Sequence, residues 1–164
     1  MFQTQIPVFE TSLQKTHQWL EELAHHGQFA DEMQAYSALR AVLHALRDRL
    51  TVDEAVHLSA QLPMIIRGLY FEGWKPSKTP VKQRHADDFF AAIEVSLRNA
   101  ATTIDPENAV CAVFTLLNDK VTQGEIEDVR NMLPAELKCC WPANGGLSDR
   151  AQRRSGPTTR EPGR

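Results

Sequence analysis

The chain has 164 residues, of which 42% are hydrophobic and 24% charged, a balance typical of one soluble globular domain. The net charge is -3, and residues 145–164 hold five Arg against two acidic residues, so residues 1–144 carry -6. That acidity disfavours nucleic-acid binding, and no apolar run approaches the roughly 18 residues of a membrane span. The first residues have neither a basic start nor an apolar stretch, so we predict a cytoplasmic protein without a signal peptide.

The first half reads as three helices. Apolar residues recur at intervals of three and four, which is the helical period. The first helix is predicted at about 9–25, with a stop at Gly27, and the second at about 31–49. One face of the first helix carries its large apolar residues together with one threonine, namely Phe9, Leu13, Thr16, Leu20 and Leu23. The third begins after Thr51, whose spacing to Glu54 matches a capping box, and ends near Leu62.

A short apolar segment and a basic loop separate the two halves. Residues 64–73 read MIIRGLYFEG and are predicted to be helical at first. Residues 74–85 hold two prolines and several basic residues, which is typical of a linker.

The second half is again helical. A helix resumes at about residue 87, and the next starts at Pro106. The last starts after Thr122, whose spacing to Glu125 matches a second capping box, and ends near Leu133. Residues 145–164 have no periodicity and predict a disordered, Arg-rich tail.

The second half repeats part of the first. With an offset of 71, residues 41–63 align without gaps with residues 112–134, and 8 of the 23 positions are identical. The identical positions begin with Ala41 and Val42 and include Asp48, Thr51, Glu54 and Pro63. Both copies then reach a Trp, and the second copy reaches it four residues sooner, at Trp141 rather than Trp74.

We therefore predict an all-α protein of six to eight helices, built as two tandem pseudo-symmetric three-helix units packed in one bundle. The predicted domain spans 1–144, with repeats at 9–76 and 87–142.

The first copy resembles a family of unassigned activity, the bacterial domain-of-unknown-function 2267 family. The residues that carry the likeness include Trp19-Leu20, 36–43, 46–51, Ala60-Gln61-Leu62-Pro63, Ile66-Arg67-Gly68 and Gly73-Trp74-Lys75-Pro76, and the likeness covers roughly 9–142. The resemblance implies a compact all-helical protein and brings no catalytic residue, cofactor or partner with it.

Three side chains form the best candidate for a metal site. His44 and Asp48 are four residues apart and share one helix face, and His57 lies on the next helix. Two imidazoles and a carboxylate suit zinc. The second copy has Thr115 and Asp128 at the histidine positions, so at most one half could bind a metal. The alternative is that both histidines are ordinary, partly exposed helix residues.

A second candidate is the charged run Arg47, Asp48 and Arg49. It could bind an anion, although such runs are more often solvated faces with paired charges. A structural alternative is that Asp48 and its counterpart Asp119 accept hydrogen bonds from the turn that leads into the capped helix.

The third candidate is an aromatic segment, defined by Arg67, Tyr70, Phe71 and Trp74. Arg, Tyr and Trp are frequent in protein interfaces, so these residues could meet a partner or a second subunit. Burial in the core is the alternative.

The sequence favours a non-enzymatic protein that acts by protein–protein interaction or self-association, with an unknown protein partner or a homo-oligomer. No catalytic residue and no cofactor are predicted. Two alternatives stay open: a metal protein or enzyme using His44, Asp48 and His57, and nucleic-acid binding through the basic loop 75–85 and the Arg-rich tail.

Overall fold

The computed structural model describes residues 5–82 and 85–143. Within these ranges the chain forms eight α-helices, one short 3-10 helix and no strand, so the all-α prediction is confirmed. The predicted tail at 145–164 lies outside the described residues.

The first half folds into four helices. They are α1 (Pro7–Gly27), α2 (Glu32–Arg47), α3 (Val52–Ser59) and α4 (Met64–Phe71). The carboxylate of Asp31 accepts the backbone N–H of Gln34 at 2.8 Å, which starts α2. Gly27 is the last residue of α1 rather than its cap, because Gln28 takes the left-handed conformation with φ 53°. A side chain at position 27 would collide with the ring of Phe29, which folds back over it.

The second half also folds into four helices. They are α5 (Ala86–Asn99), α6 (Pro106–Lys120), α7 (Gln123–Met132) and α8 (Ala135–Lys138). The intervening basic loop contains the 3-10 turn Pro76–Lys78. The carboxylate of Asp105 caps α6 by accepting the backbone N–H of Asn108 at 3.0 Å, with Pro106 in the first turn.

The predicted capping boxes formed only in part. Thr51 caps α3, since its hydroxyl accepts the backbone N–H of Glu54 at 3.3 Å. Thr122 does not cap α7 with its side chain. Its hydroxyl instead accepts the Gln61 side-chain N–H at 3.0 Å, and its backbone N–H donates to the Gln61 side-chain oxygen, Oε1, at 2.8 Å. A side chain of the first half thus makes the hydrogen bonds of Thr122, the residue at the start of α7 in the second half.

One hydrophobic core contains side chains from all eight helices. Helix α1 packs on α2 and α6, while α5 packs on α6 and α2, and α3 packs on α7. If α1, α2 and α3 are exchanged for α5, α6 and α7, the same pairs of helices are in contact. This agrees with a pseudo-two-fold arrangement. The tandem three-helix units and the single domain at 1–144 nevertheless stay predictions.

The offset of 71 continues past the two prolines. Helix α4 begins at Met64 and α8 at Ala135, so the offset pairs Tyr70 with Trp141. Both are buried, whereas Trp74 is only half-buried. The second Trp comes four residues sooner because its counterpart in this register is Tyr70 and not Trp74.

Candidate functional site

The polar residues at the end of α2 face the last turn of α4. The final carbonyl groups of a helix have no partner within it, so other groups must satisfy them. His44 Nε2 is hydrogen-bonded to the carbonyl of Leu69 at 2.7 Å. Arg47 donates through one terminal nitrogen to the carbonyls of Tyr70 at 2.7 Å and Glu72 at 2.9 Å. We call this group, with Asp48, the capping cluster.

Asp48 orients the Arg47 side chain. Its carboxylate accepts the Arg47 Nε–H at 3.0 Å, and the Arg47 side chain is 6% exposed. A cation at the negative end of a helix dipole is favourable, so the charge and the hydrogen bonds act together. The arrangement has the features of a structural cap for α4, and its donors point at main-chain oxygens.

Arg67 repeats the pattern one helix further along. Its Nε–H donates to the carbonyl of Ser59 at 2.8 Å, and Nη2 donates to Leu62 at 3.0 Å. The Tyr70 hydroxyl donates to the carbonyl of Ala55 at 2.9 Å. Arg47 therefore caps α4, and Arg67 on α4 in turn caps the end of α3.

The predicted metal ligands do not come together in the part of the chain that the structure describes. His44 is held by Leu69, Asp48 faces Arg47, and His57 is exposed on α3. Burial lowers the pKa of His44, and the nearby guanidinium groups of Arg47 and Arg40 lower it further, against the effect of the Leu69 carbonyl. The neutral imidazole is thus favoured, with Nε2 as the donor.

Arg49 does not join the capping cluster. It stacks on the Phe89 ring with its guanidinium carbon 4.9 Å from the ring centroid, and it donates to the carbonyl of Ala45 at 2.9 Å. Burial lowers the pKa of Arg49, partly offset by Asp48 and Asp88. The predicted anion-binding run is therefore divided between two separate contacts.

The aromatic segment packs inward over most of its length. Tyr70 is 0% exposed, and burial raises its pKa well above 10. Phe71 lies between Tyr70 and Trp74, with ring centroids at 5.0 Å and 5.3 Å respectively. Arg67 is exposed, but its guanidinium is hydrogen-bonded to the carbonyl of Ser59 at the end of α3. A partner-binding role for these four residues stays a prediction, and Tyr70 is inaccessible to a partner in this conformation.

Acidic groups of the two halves meet where α3 packs on α7. The carboxylates of Glu54, Glu125 and Asp128 lie within 4.8 Å of one another. Burial raises the pKa of Glu125, and Glu54 raises it further. One oxygen of Glu54 and one of Glu125 are buried without a hydrogen-bond partner. The repeat could have indicated this meeting, since the offset of 71 relates Glu54 to Glu125.

An apolar surface on α1, α2 and α4 was missed by the sequence reasoning. Phe9 is 51% exposed and Leu13 50%, although both share a helix face with the buried Leu20 and Leu23. Only the second half of that face is covered by the core. The hydroxyl of Ser12, next to Leu13, lies 3.9 Å from the Met64 sulfur, which joins the exposed part of α1 to α4.

A cleft lies between α1, α2 and α4, and its lining residue Thr16 is about one helical turn along α1 from Leu13. Its volume is about 260 Å³, and its lining includes Thr16, Tyr36, Leu39, Ile65 and Leu69. Ile65 is 41% exposed at its edge. We call Phe9, Leu13, Tyr36, Met64 and Ile65, together with this cleft, the apolar face.

The fold and these contacts define a class of small all-helical proteins whose polar clusters cap helices. A family model described as an uncharacterized conserved protein, DUF2267, matches residues 16–139, so the chain belongs to that family. No curated protein matches the chain. Among the described residues, no helix is long and apolar enough to cross a membrane.

Proposed function

We propose that this protein is a non-enzymatic self-association module, in which the apolar faces of two copies pack together. The observation that carries the proposal is the amphipathic helix α1, whose apolar side continues beyond the core that covers it. A soluble protein rarely leaves so much clustered apolar surface open to water without a partner. A location in the cytoplasm stays a prediction.

The distribution of exposed apolar side chains supports this choice. Twelve large hydrophobic residues are exposed in the described part of the chain, and eight of them lie on or directly before α1, α2 or α4. These eight are Ile6, Val8, Phe9, Leu13, Met33, Tyr36, Met64 and Ile65, and five of them, Phe9, Leu13, Tyr36, Met64 and Ile65, belong to the apolar face. Scattered exposed residues need no explanation, but this concentration does.

A second copy is the occupant that the shape favours. A two-fold dimer buries the same surface on both subunits, so a face must complement itself. Phe9 precedes Thr16 by seven residues, which places it about 10 Å along α1 from the cleft. The Phe9 and Leu13 side chains of one copy can then enter the cleft of the other, and the reverse contact follows by symmetry.

Concentration-dependent sedimentation of the whole chain tests the proposal. We expect a dimer whose dissociation is measurable, and we expect Phe9→Asp and Ile65→Asp each to give a folded monomer. Val95→Asp is the matched control, since Val95 is 52% exposed but lies on α5, which does not line the face.

Two outcomes would overturn self-association through the apolar face. One is a wild-type protein that stays monomeric at every concentration. The other is a dimer that withstands both aspartate substitutions while the circular dichroism shows intact helices.

A further inference from the structure

Two cysteines that are distant in sequence meet at the C-terminal end of the described chain. Cys111 lies on α6, and Cys140 follows α8. Their thiols lie near enough that each is among the groups that shift the pKa of the other. Both are partly buried, whereas Cys139 is exposed and its thiol lies 2.9 Å from the carbonyl of Glu136.

An aromatic contact holds this pair in place. Trp141 stacks on Phe114, with ring centroids 4.1 Å apart and planes inclined by 14°. Phe114 is one helical turn beyond Cys111, and Trp141 is one residue beyond Cys140. The chain after α8 is therefore fixed against one side of α6 at two successive positions. This placement does not depend on the apolar face.

We propose that Cys111 and Cys140 form a redox modification site, at which a low-molecular-weight disulfide oxidises them to an intramolecular disulfide. Cys139 and Cys140 are adjacent in sequence, and neighbouring cysteines pair poorly with each other. Cys111 is thus the cysteine with which Cys140 can form a disulfide in this fold.

The chemistry balances as two thiol–disulfide exchanges. The Cys140 thiolate attacks one sulfur of the reagent R–S–S–R, whose S–S bond breaks, and the departing RS⁻ takes up the proton that Cys140 lost. The Cys111 thiolate then attacks the Cys140 sulfur and expels the second RS⁻, which is protonated in turn. Two protein thiols are oxidised, and one reagent disulfide is reduced to two thiols.

The surroundings make the pair slow to react at neutral pH. Burial raises the pKa of both thiols, and for Cys140 to about 12. Only the thiolate attacks a disulfide, so the rate should rise roughly tenfold per pH unit between about pH 7 and pH 9.

The experiment uses the full chain and glutathione disulfide. After oxidation and tryptic digestion without reductant, mass spectrometry should find the peptide that contains Cys111 linked to the peptide that contains Cys139 and Cys140. Free thiols should fall from three to one. The linkage closes a loop of 29 residues, so Tm should rise by roughly 5 °C or more.

Two matched variants identify the bond. Cys139→Ser should keep both the linkage and the rise in Tm, while Cys140→Ser should lose both. Cys111→Ser and Cys111→Ala should each also lose the linkage and the rise in Tm. Two substitutions at this position keep the test valid if one of them folds poorly. Linkage that is lost in Cys139→Ser, a disulfide between subunits, or a stable glutathione adduct with Cys111 still free would each overturn the proposal.

Discussion

Single side chains in this protein satisfy the ends of helices to which they do not belong. Arg47 is the best example, because one guanidinium group binds two carbonyl groups at the end of α4 and one carboxylate beside it. Water cannot easily replace these bonds at a buried position. The charges of Arg47 and Asp48 therefore have a structural role in the fold, and no ligand is needed to account for them.

Replacing Arg47 tests this assignment. Arg47→Ala leaves buried carbonyl groups and the Asp48 carboxylate without their donor, so we expect the free energy of unfolding to fall by about 3–5 kcal/mol. Urea denaturation followed by circular dichroism measures the change.

Arg98→Ala is the control for an exposed arginine. Its side chain is 72% exposed and, among the residues that the structure describes, pairs with Glu94 alone, one turn away, so its loss should cost less than about 0.5 kcal/mol. Equal effects of the two substitutions would show that the Arg47 contacts do not stabilise the fold.

At the scale of the helices, the contact between α3 and α7 brings acidic groups of both halves together. Compared with the unfolded state, the folded state favours the neutral form of Glu125, because burial and Glu54 raise its pKa above 4.5. His57 lowers that pKa, and Asp128 raises it. The stability that depends on neutral Glu125 is full below pH 4.5 and is lost as the pH rises through the folded-state pKa.

Glu125→Gln should therefore raise Tm at about pH 7, because the amide stays neutral and can donate to Glu54. The gain should shrink towards zero near pH 4, where the wild-type carboxyl is protonated in both states. Thermal melts across this range make the measurement.

Glu127→Gln is the control on the same helix, since Glu127 is exposed. A Tm gain for Glu125→Gln that did not change with pH would rule out the titration of Glu125 as its cause.

At the scale of the whole molecule, the two halves share one core. Helix α2 packs on α5 and α6, and α1 packs on α6, so neither half alone covers all of its own apolar side chains. Asn108 also donates to the carbonyl of Gly27 at 2.9 Å, which ties the start of α6 to the end of α1.

We expect the fragment 1–76 alone to remain largely unfolded, while the full chain unfolds in a single transition. Tryptophan fluorescence and circular dichroism should then give the same midpoint for the full chain. A fragment with a cooperative melt of its own would show that the repeats are separate domains.

Much of the fold follows from local sequence. The period of three and four, Asp105-Pro106 and Thr51 predicted seven of the α-helices to within a few residues. Helix α8 was missed because four residues are too few for a period to appear.

The candidate sites followed less well from the sequence. A local pattern cannot tell that His44 meets Leu69, or that Gln61 replaces the expected cap at Thr122. It also cannot tell how far the core covers α1, so it does not show that Phe9 and Leu13 are exposed although they share a helix face with Leu20 and Leu23.

The contact made by Arg47 has a consequence for the comparison of related sequences. Its guanidinium recognises main-chain oxygens of residues 70 and 72, and every amino acid carries that oxygen. A substitution at either position keeps the acceptor, whereas a substitution of the arginine removes the donor. The constraint thus acts on one partner only, and pairs that touch in this way leave no correlated changes in an alignment. A contact map inferred from covariation would omit these hydrogen bonds between Arg47 and the end of α4.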